Sequence, residues 1–355
     1  MHNPVTSVLV AAFLVQALTP FPGVVAQTRE PEPATFLRKQ LEFTPSDLAT
    51  LESGQIIVKL PKTPETREVA AFTIARLDVP SDFLVDRVRD IATFKKGESV
   101  LQIGKFSNPP RLGDLDGLTV DQVDIDAIKR CRVNNCDLKM SATSIEKLRK
   151  DVNWSEQNYR DQVTRFFRGM LLEHVQAYLK LGNAGLGNYE DKSYKLGLGD
   201  EMRTLLKPAS YMYGYLPEFQ RYLEGFPTTR QSTAGNFEDF LYWSKEDYGL
   251  KPVISVTHVT IQRHAHGTAV DTMIASQGIY ASHYLEASLG LTALVQSQAS
   301  EPPRSYLIYV NRSHTDAFRG FFAGVKRSLV TGRIRDTAKK KMGMIKEKLE
   351  TEYQE

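Results

Sequence analysis

The chain has 355 residues, of which 41% are hydrophobic and 25% charged, with a formal net charge of +3. Those proportions belong to a globular protein and exclude a wholly disordered, collagen-like or coiled-coil chain. The small net charge gives no reason to expect nucleic-acid binding.

The first 26 residues contain no Asp, Glu, Lys or Arg, and Val8 to Leu18 is an apolar run. Pro20, Pro22 and Gly23 break the chain before Val24-Val25-Ala26, whose small residues suit a signal peptidase. Residues 1–26 therefore read as a signal peptide, with an uncleaved anchor as the alternative; the run falls short of the ~20 residues a membrane span needs. Export to a periplasmic or extracellular compartment is the expectation. There the two cysteines, Cys131 and Cys136, read as a short disulfide loop around the turn-forming Asn134-Asn135 pair. A metal reading lacks further ligands, and a redox motif would need two intervening residues rather than four.

Thr44-Pro45-Ser46-Asp47 opens a short helix that ends near Gly54. QIIVKL (55–60) and Val69 to Val79 read as a hairpin, after which Pro80-Ser81-Asp82 caps a helix carrying Phe83, Leu84, Val88 and Ile91. Ser99 to Phe106 is a third strand candidate. Asp114 to Asp126 is rich in Asp, but an EF-hand with Gly117 at its sixth position would begin at Leu112 and end at Val123, neither of which carries a side-chain oxygen. A solvated, helix-capping segment is expected instead. Residues 142–225 read as mostly helical, with apolar residues at Val163, Phe166, Phe167, Met170, Leu171, Val175 and Leu179 near helical spacing and a glycine-rich loop at 182–199.

Strand character returns at Phe237 to Ser244 and at PVISVTHVTIQR (252–263), with a turn at 264–268. Ala269 to Val295 is strand-like but far too long for one ordinary strand, so a break is expected near Gly278 or at Ser288 to Gly290. Ser305 to Asn311 is the last strand. From Thr315 to about Tyr353 the chain reads as one long helix, with Phe318, Phe322, Val325 and Leu329 on one stripe. Residues 326–348 hold nine Lys or Arg against two acids. That run reads as a solvated helix end or as a peripheral contact with anionic membrane headgroups.

The order of elements is helix, hairpin, helix, helical block, antiparallel strands, long final helix. It resembles the START-like (helix-grip, SRPBCC-type) superfamily over residues 45–106 and 237–353, carried by QIIVKL, VAAFTIARLDVPSDFLVDRVRD, PVISVTHVTIQR, IYASHYLEASLGLTALV and SYLIYVNRS. The chain is also similar to secreted bacterial proteins of unassigned function with YWSKE and YASHY segments. The resemblance implies an α+β fold in which a curved antiparallel sheet grips a long C-terminal helix, in a single domain over 27–355 with a helical insertion at about 107–236. It also implies a cavity between sheet and helix for a hydrophobic small molecule or lipid.

Five of the seven histidines lie between 258 and 314. His264 and His266 form an H-x-H pair with no third ligand at a familiar spacing, so no metal is assigned. His258 and His283 fall inside predicted strands. Strand alternation puts His258 with Ile254, Val256 and Thr260, and His283 with Ile279, Ala281 and Leu285. Both are candidate acid/base residues for a cyclase- or hydrolase-type enzyme, or satisfied core histidines. Tyr242, His258, Tyr280, His283, Tyr309, Asn311 and Phe322 form the expected ligand-binding set. No nucleophile elbow, P-loop or H-E-x-x-H occurs, and no cofactor is expected. The remaining reading is an envelope interaction protein that uses the basic final helix.

Overall fold

The strand-forming segments after residue 236 and the hairpin near the N-terminus build one sheet. The computed structural model describes residues 37–38, 42–63, 65–207, 217–232, 237–266, 269–297, 304–319 and 323–355. Residues 1–26, on which the signal-peptide expectation falls, and Phe322 lie outside them. In chain order the elements are α1 (Pro45–Glu52), β1 (Ile57–Lys59), β2 (Glu68–Leu77), α2 (Ser81–Arg89), α3 (Ile91–Phe94) and β3 (Val100–Lys105). Then come α4 (Gln122–Lys129), α5 (Ala142–Asp151), α6 (Tyr159–Leu181), a small hairpin of β4 (Asn188–Tyr189) and β5 (Leu196–Gly197), α7 (Leu198–Leu206), α8 (Pro217–Gly225) and α9 (Thr228–Ser232). The chain closes with β6 (Phe237–Glu246), β7 (Val253–His266), β8 (Ala269–Ala281), β9 (Leu285–Ser297), β10 (Arg304–Thr315) and α10 (Ala323–Gln354).

The fold is α+β. Eight strands pair antiparallel in the order β1-β2-β10-β9-β8-β7-β6-β3, and a helical insertion separates β3 from β6. Residues 32–355 form one compact unit. Among the described residues no helix is long and apolar enough to cross a membrane.

Local chemistry explains the element ends. Thr44 and Asp47 form a reciprocal capping box at the start of α1, with Pro45 in the first turn. On α6, Val163, Phe167, Leu171, Val175 and Tyr178 recur at steps of three and four and are all buried. Strand alternation then divides the core in two. One face of the sheet carries Phe72, Ile254, Val256, Met273, Ala275, Leu289, Leu291 and Ile308 against the helical insertion. The other carries Ala75, Leu77, Val259, Ile261, Ile274, Leu294 and Leu307 against α2 and the C-terminal half of α10.

The final helix packs on β1 and β2. Met342 and Leu349 enter the second core, Lys346 Nζ donates to the Arg76 carbonyl at 2.7 Å, and Glu350 accepts from the Asp78 amide at 3.0 Å. Phe318 is buried in a short 3-10 turn that precedes this helix rather than on the helix itself. Described side chains on the helix begin at residue 332, so Val325 and Leu329 of the expected stripe lie outside them.

Two expectations change. The long strand breaks at Ser282 to Tyr284, not at a glycine. Tyr284 takes φ 57°, and the Ser282 amide donates to the Ile254 carbonyl at 2.8 Å while its hydroxyl accepts from the Ile254 amide at 3.0 Å. His283 therefore sits in a turn, and the strand-face assignment made for it does not apply. The acidic segment is not solvated throughout. Asp124 is 2% exposed because it faces His283, and Asp121 takes an ion pair from Lys245 at 2.5 Å.

Cys131 and Cys136 are disulfide-bonded. Within the loop, the Asn134 amide donates to the Glu190 carbonyl at 2.8 Å and the Cys136 amide to the Asp191 carbonyl at 2.9 Å. The loop thus anchors the β4–β5 hairpin. Cys131→Ser is expected to cost about 2 kcal/mol, because so short a loop constrains the unfolded chain little. Amide hydrogen exchange should accelerate around 188–197 with the sheet unchanged, whereas collapse of the whole sheet would contradict this assignment. Thiol titration of protein isolated from its own compartment should find none.

Candidate functional site

The side of the sheet that faces the C-terminal helix is not uniformly apolar. On β6 to β10 alternation places small and hydroxylated residues on this side, and the pairing register aligns them in rows. Asn311 pairs with Gly290 and Gly290 with Ser276; Ser313 pairs with Ser288 and Ser288 with Gly278. Ser244 pairs with Ser255 at the next level. Ser255, Ser276, Gly278, Ser288, Thr292, Tyr309 and Asn311 are all half-buried, although they lie on interior strands. The glycines make room. A Cβ on Gly290 would stand 3.2 Å from the Tyr309 hydroxyl, and one on Gly278 would stand 2.1 Å from Ser288 Oγ.

One end of this floor is charged. Lys95, from the segment after α3, reaches Glu246 at 2.7 Å and the Tyr242 hydroxyl at 3.4 Å. Glu246 also accepts from Ser244 at 2.7 Å and from the Tyr248 hydroxyl at 3.1 Å. Burial pushes the Glu246 carboxyl up, but Lys95 and these donors outweigh it and hold it below the usual range. Burial works against the charge on Lys95 too, and Tyr242 and Glu246 more than restore it, so Lys95 stays protonated. Lys341 of α10 places its ammonium 5.2 Å from the centre of the Tyr248 ring. Lys341 is an exposed residue, and partial desolvation of its ammonium lowers its proton affinity. Next to this group, Asn311 donates to the Tyr309 hydroxyl at 3.3 Å and accepts from Ser313 at 3.1 Å.

The insertion-facing side holds different chemistry. His258 is fully buried with both ring nitrogens engaged, Nδ1 at 2.8 Å from the Tyr178 hydroxyl and Nε2 at 2.9 Å from Asp239 Oδ1. Asp239 also accepts from Thr260 at 2.8 Å and from Tyr222. Burial raises its carboxyl, yet the hydrogen bonds from His258, Tyr222 and Thr260 bring it below the ordinary value. His283 is buried with Nε2 3.1 Å from Asp124, and Tyr280 donates to the Lys139 carbonyl at 3.1 Å. Lys139 in turn pairs with Asp316 at 2.6 Å. A histidine so enclosed orients its neighbours but presents no free nitrogen to a substrate, which is the position of His258.

The sequence-derived ligand set therefore divides. Tyr242, Tyr309 and Asn311 come together on the helix-facing floor. His258, Tyr280 and His283 belong to buried hydrogen-bond networks on the opposite face. Lys95, Glu246, Tyr248 and Lys341 were not singled out by sequence reading. The alternation Tyr242-Ser244-Glu246 was a usable signal for one of them, because its three polar members share a face. Among the described residues no cluster of His, Cys, Asp and Glu has the arrangement to hold a metal ion.

No family model matches this chain, and no curated protein or solved structure matches it either.

Proposed function

We propose that this protein binds a small amphipathic molecule in a cleft between the helix-facing side of its sheet and the C-terminal helix. The observation that supports this most is the half-buried floor of Ser255, Ser276, Gly278, Ser288, Thr292, Tyr309 and Asn311. Interior strands of a closed core normally carry apolar side chains, as this same face does where Leu294 and Leu307 lie beneath the helix. Polar residues that keep exposure in the middle of a sheet fit a wall that meets solvent or ligand. A few polar groups beside the rings of Tyr242 and Tyr309 are the composition of a small-molecule site. In this reading the apolar body of the ligand lies toward the aromatic and aliphatic end, and its polar part meets the hydroxyls. An exported protein with such a site would act as a carrier or receptor. The starting point of this reading is the START-like order of elements.

Native mass spectrometry of protein purified from its own compartment should find a bound small molecule, which solvent extraction then identifies. Ser276→Leu with Ser288→Leu fills the floor and should abolish occupancy with little change in thermal unfolding. Equal occupancy in that variant, or no retained molecule and no binding of any lipid offered, would end the proposal. Lys339→Glu with Lys340→Glu lies on the exposed face of the helix. That change should leave occupancy intact, and a loss there would favour contact with anionic membrane headgroups instead.

A further inference from the structure

The outward face of α10 carries charge that the rest of the molecule does not answer. Residues 333–341 hold five basic side chains, Arg333, Arg335, Lys339, Lys340 and Lys341, against Asp336 alone, and all six are exposed. None of the five takes an ion pair among the described residues, whereas further along the same helix Lys346 pairs with Glu350 and Lys348 with Glu352. Arg335 and Lys339 stand four residues apart, a like-charge spacing that works against the helix carrying them. Apolar side chains surface beside these charges. Leu250 and Met344 are the two most exposed large apolar side chains among the described residues, at 65% and 57%. On α10, Arg333, Thr337, Lys340 and Met344 recur at steps of four, three and four and so share one face. Leu250 belongs to the loop between β6 and β7, and that loop is tied to the same helix, because Lys341 Nζ stands 5.2 Å from the centre of the Tyr248 ring. Tyr248 is itself 48% exposed, and its hydroxyl donates to Glu246 at 3.1 Å, which fixes the ring beside the helix. Gly249, at φ 78°, turns the chain between Tyr248 and Leu250.

We infer that this face docks on an anionic lipid bilayer, with Arg333, Lys339, Lys340 and Lys341 among the headgroups and Tyr248, Leu250 and Met344 in the interfacial layer. The inference goes beyond the cleft and does not depend on it. Two features together choose the partner. The unanswered positive charge is complementary to a surface dense in negative charge. A soluble polyanion would neutralise that charge but leave Leu250 and Met344 in water. A bilayer offers phosphate to the cations and, just beneath, acyl chain to the apolar side chains. Tyr248 has the amphipathic ring that settles at this boundary, and the lysine stems can lie along it while their ammonium groups stay among the headgroups.

The test is sedimentation with vesicles of phosphatidylcholine alone and of phosphatidylcholine with a quarter phosphatidylglycerol, using protein isolated from its own compartment. Wild type should partition to the anionic vesicles at least ~tenfold more strongly, since each basic residue near such a surface contributes roughly fivefold, and added salt should release it. Lys339→Glu with Lys340→Glu should weaken that partition on the order of a hundredfold while cleft occupancy stays as it was, which separates this face from the ligand site. Leu250→Ser with Met344→Ser should weaken it roughly tenfold and leave the remaining binding more sensitive to salt. Arg165→Gln with Lys180→Gln removes two exposed charges from α6, on the other side of the sheet, and should change nothing. Equal binding to both kinds of vesicle, or binding to neither, would overturn the docking face. Charge-dependent binding indifferent to Leu250 and Met344 would overturn the bilayer as partner and favour a soluble polyanion. Undiminished binding by the folded lysine-reversal variant would overturn the assignment to α10.

Discussion

Asp239→Ala is expected to lower the unfolding free energy by about 3–5 kcal/mol, the range for stripping one partner from a buried charged network. Its carboxylate accepts from His258, Thr260 and Tyr222, and its removal leaves those donors without an acceptor where His258 is 0% and Tyr222 1% exposed. The pH dependence has a definite sign. The folded carboxyl lies below its ordinary value, so its contribution is fully present above the unfolded pKa of about 4 and is lost as pH falls through the folded value. Urea unfolding at pH 7 should show the full gap between wild type and variant, and the gap should narrow below about pH 4. A gap under 1 kcal/mol at neutral pH, or one that widens in acid, would show that the network is not the support described here.

Arg312→Met should cost a similar amount, about 3–5 kcal/mol, for a related reason. Arg312 lies on β10 with its Nε 2.7 Å from Glu68 Oε1 and its Nη1 2.8 Å from the Leu205 carbonyl, and it ties β2, β10 and α7 together. Glu68 is fully buried, and the substitution strands its charge. The double variant Glu68→Met with Arg312→Met removes both charges and fills the space with apolar atoms, so it should recover most of the loss. Thermal or denaturant unfolding of the two singles and the double closes a cycle that isolates the pair. A double variant as unstable as Arg312→Met alone would mean that Arg312 matters through its bond to Leu205 rather than through Glu68.

Much of the sheet was legible because alternation and β-branched content are local. Residues 69–79 and 252–263 announce themselves as strands without reference to the rest of the chain, and Thr44-Pro45-Ser46-Asp47 carries its own helix start. The break in 269–295 was misplaced for a physical reason. Gly278 and Gly290 do not end strands but pair with Ser288 and Ser276, and they make space for the Ser288 side chain and for Tyr309 respectively. The true turn, Ser282-His283-Tyr284, has none of the Gly, Pro or Asn that normally mark one. The site was only half legible. Tyr242, Tyr309 and Asn311 could be picked out as polar residues on strands, but a sequence cannot show that Lys95 meets Glu246 151 positions later, or that Asp124 meets His283 at a separation of 159. His258 and Tyr309 look alike in sequence, each polar within an apolar run. Only the register and the covering elements put one in a sealed network and the other on a half-open floor.

The strand order also sets a timetable for the growing polypeptide. β2 pairs with β1 and β10, and β3 pairs with β6, so the early strands occupy both margins of a sheet whose middle is the late meander from β6 to β10. Until that meander has been synthesised, β2 has only the three-residue β1 beside it and β3 has no partner. Such an isolated hairpin is marginal in water. A chain shortened before Arg304 would leave β2 and β9 each without the neighbour that β10 supplies. The first half of this protein therefore stays open to misassembly until nearly the whole of the second half has arrived.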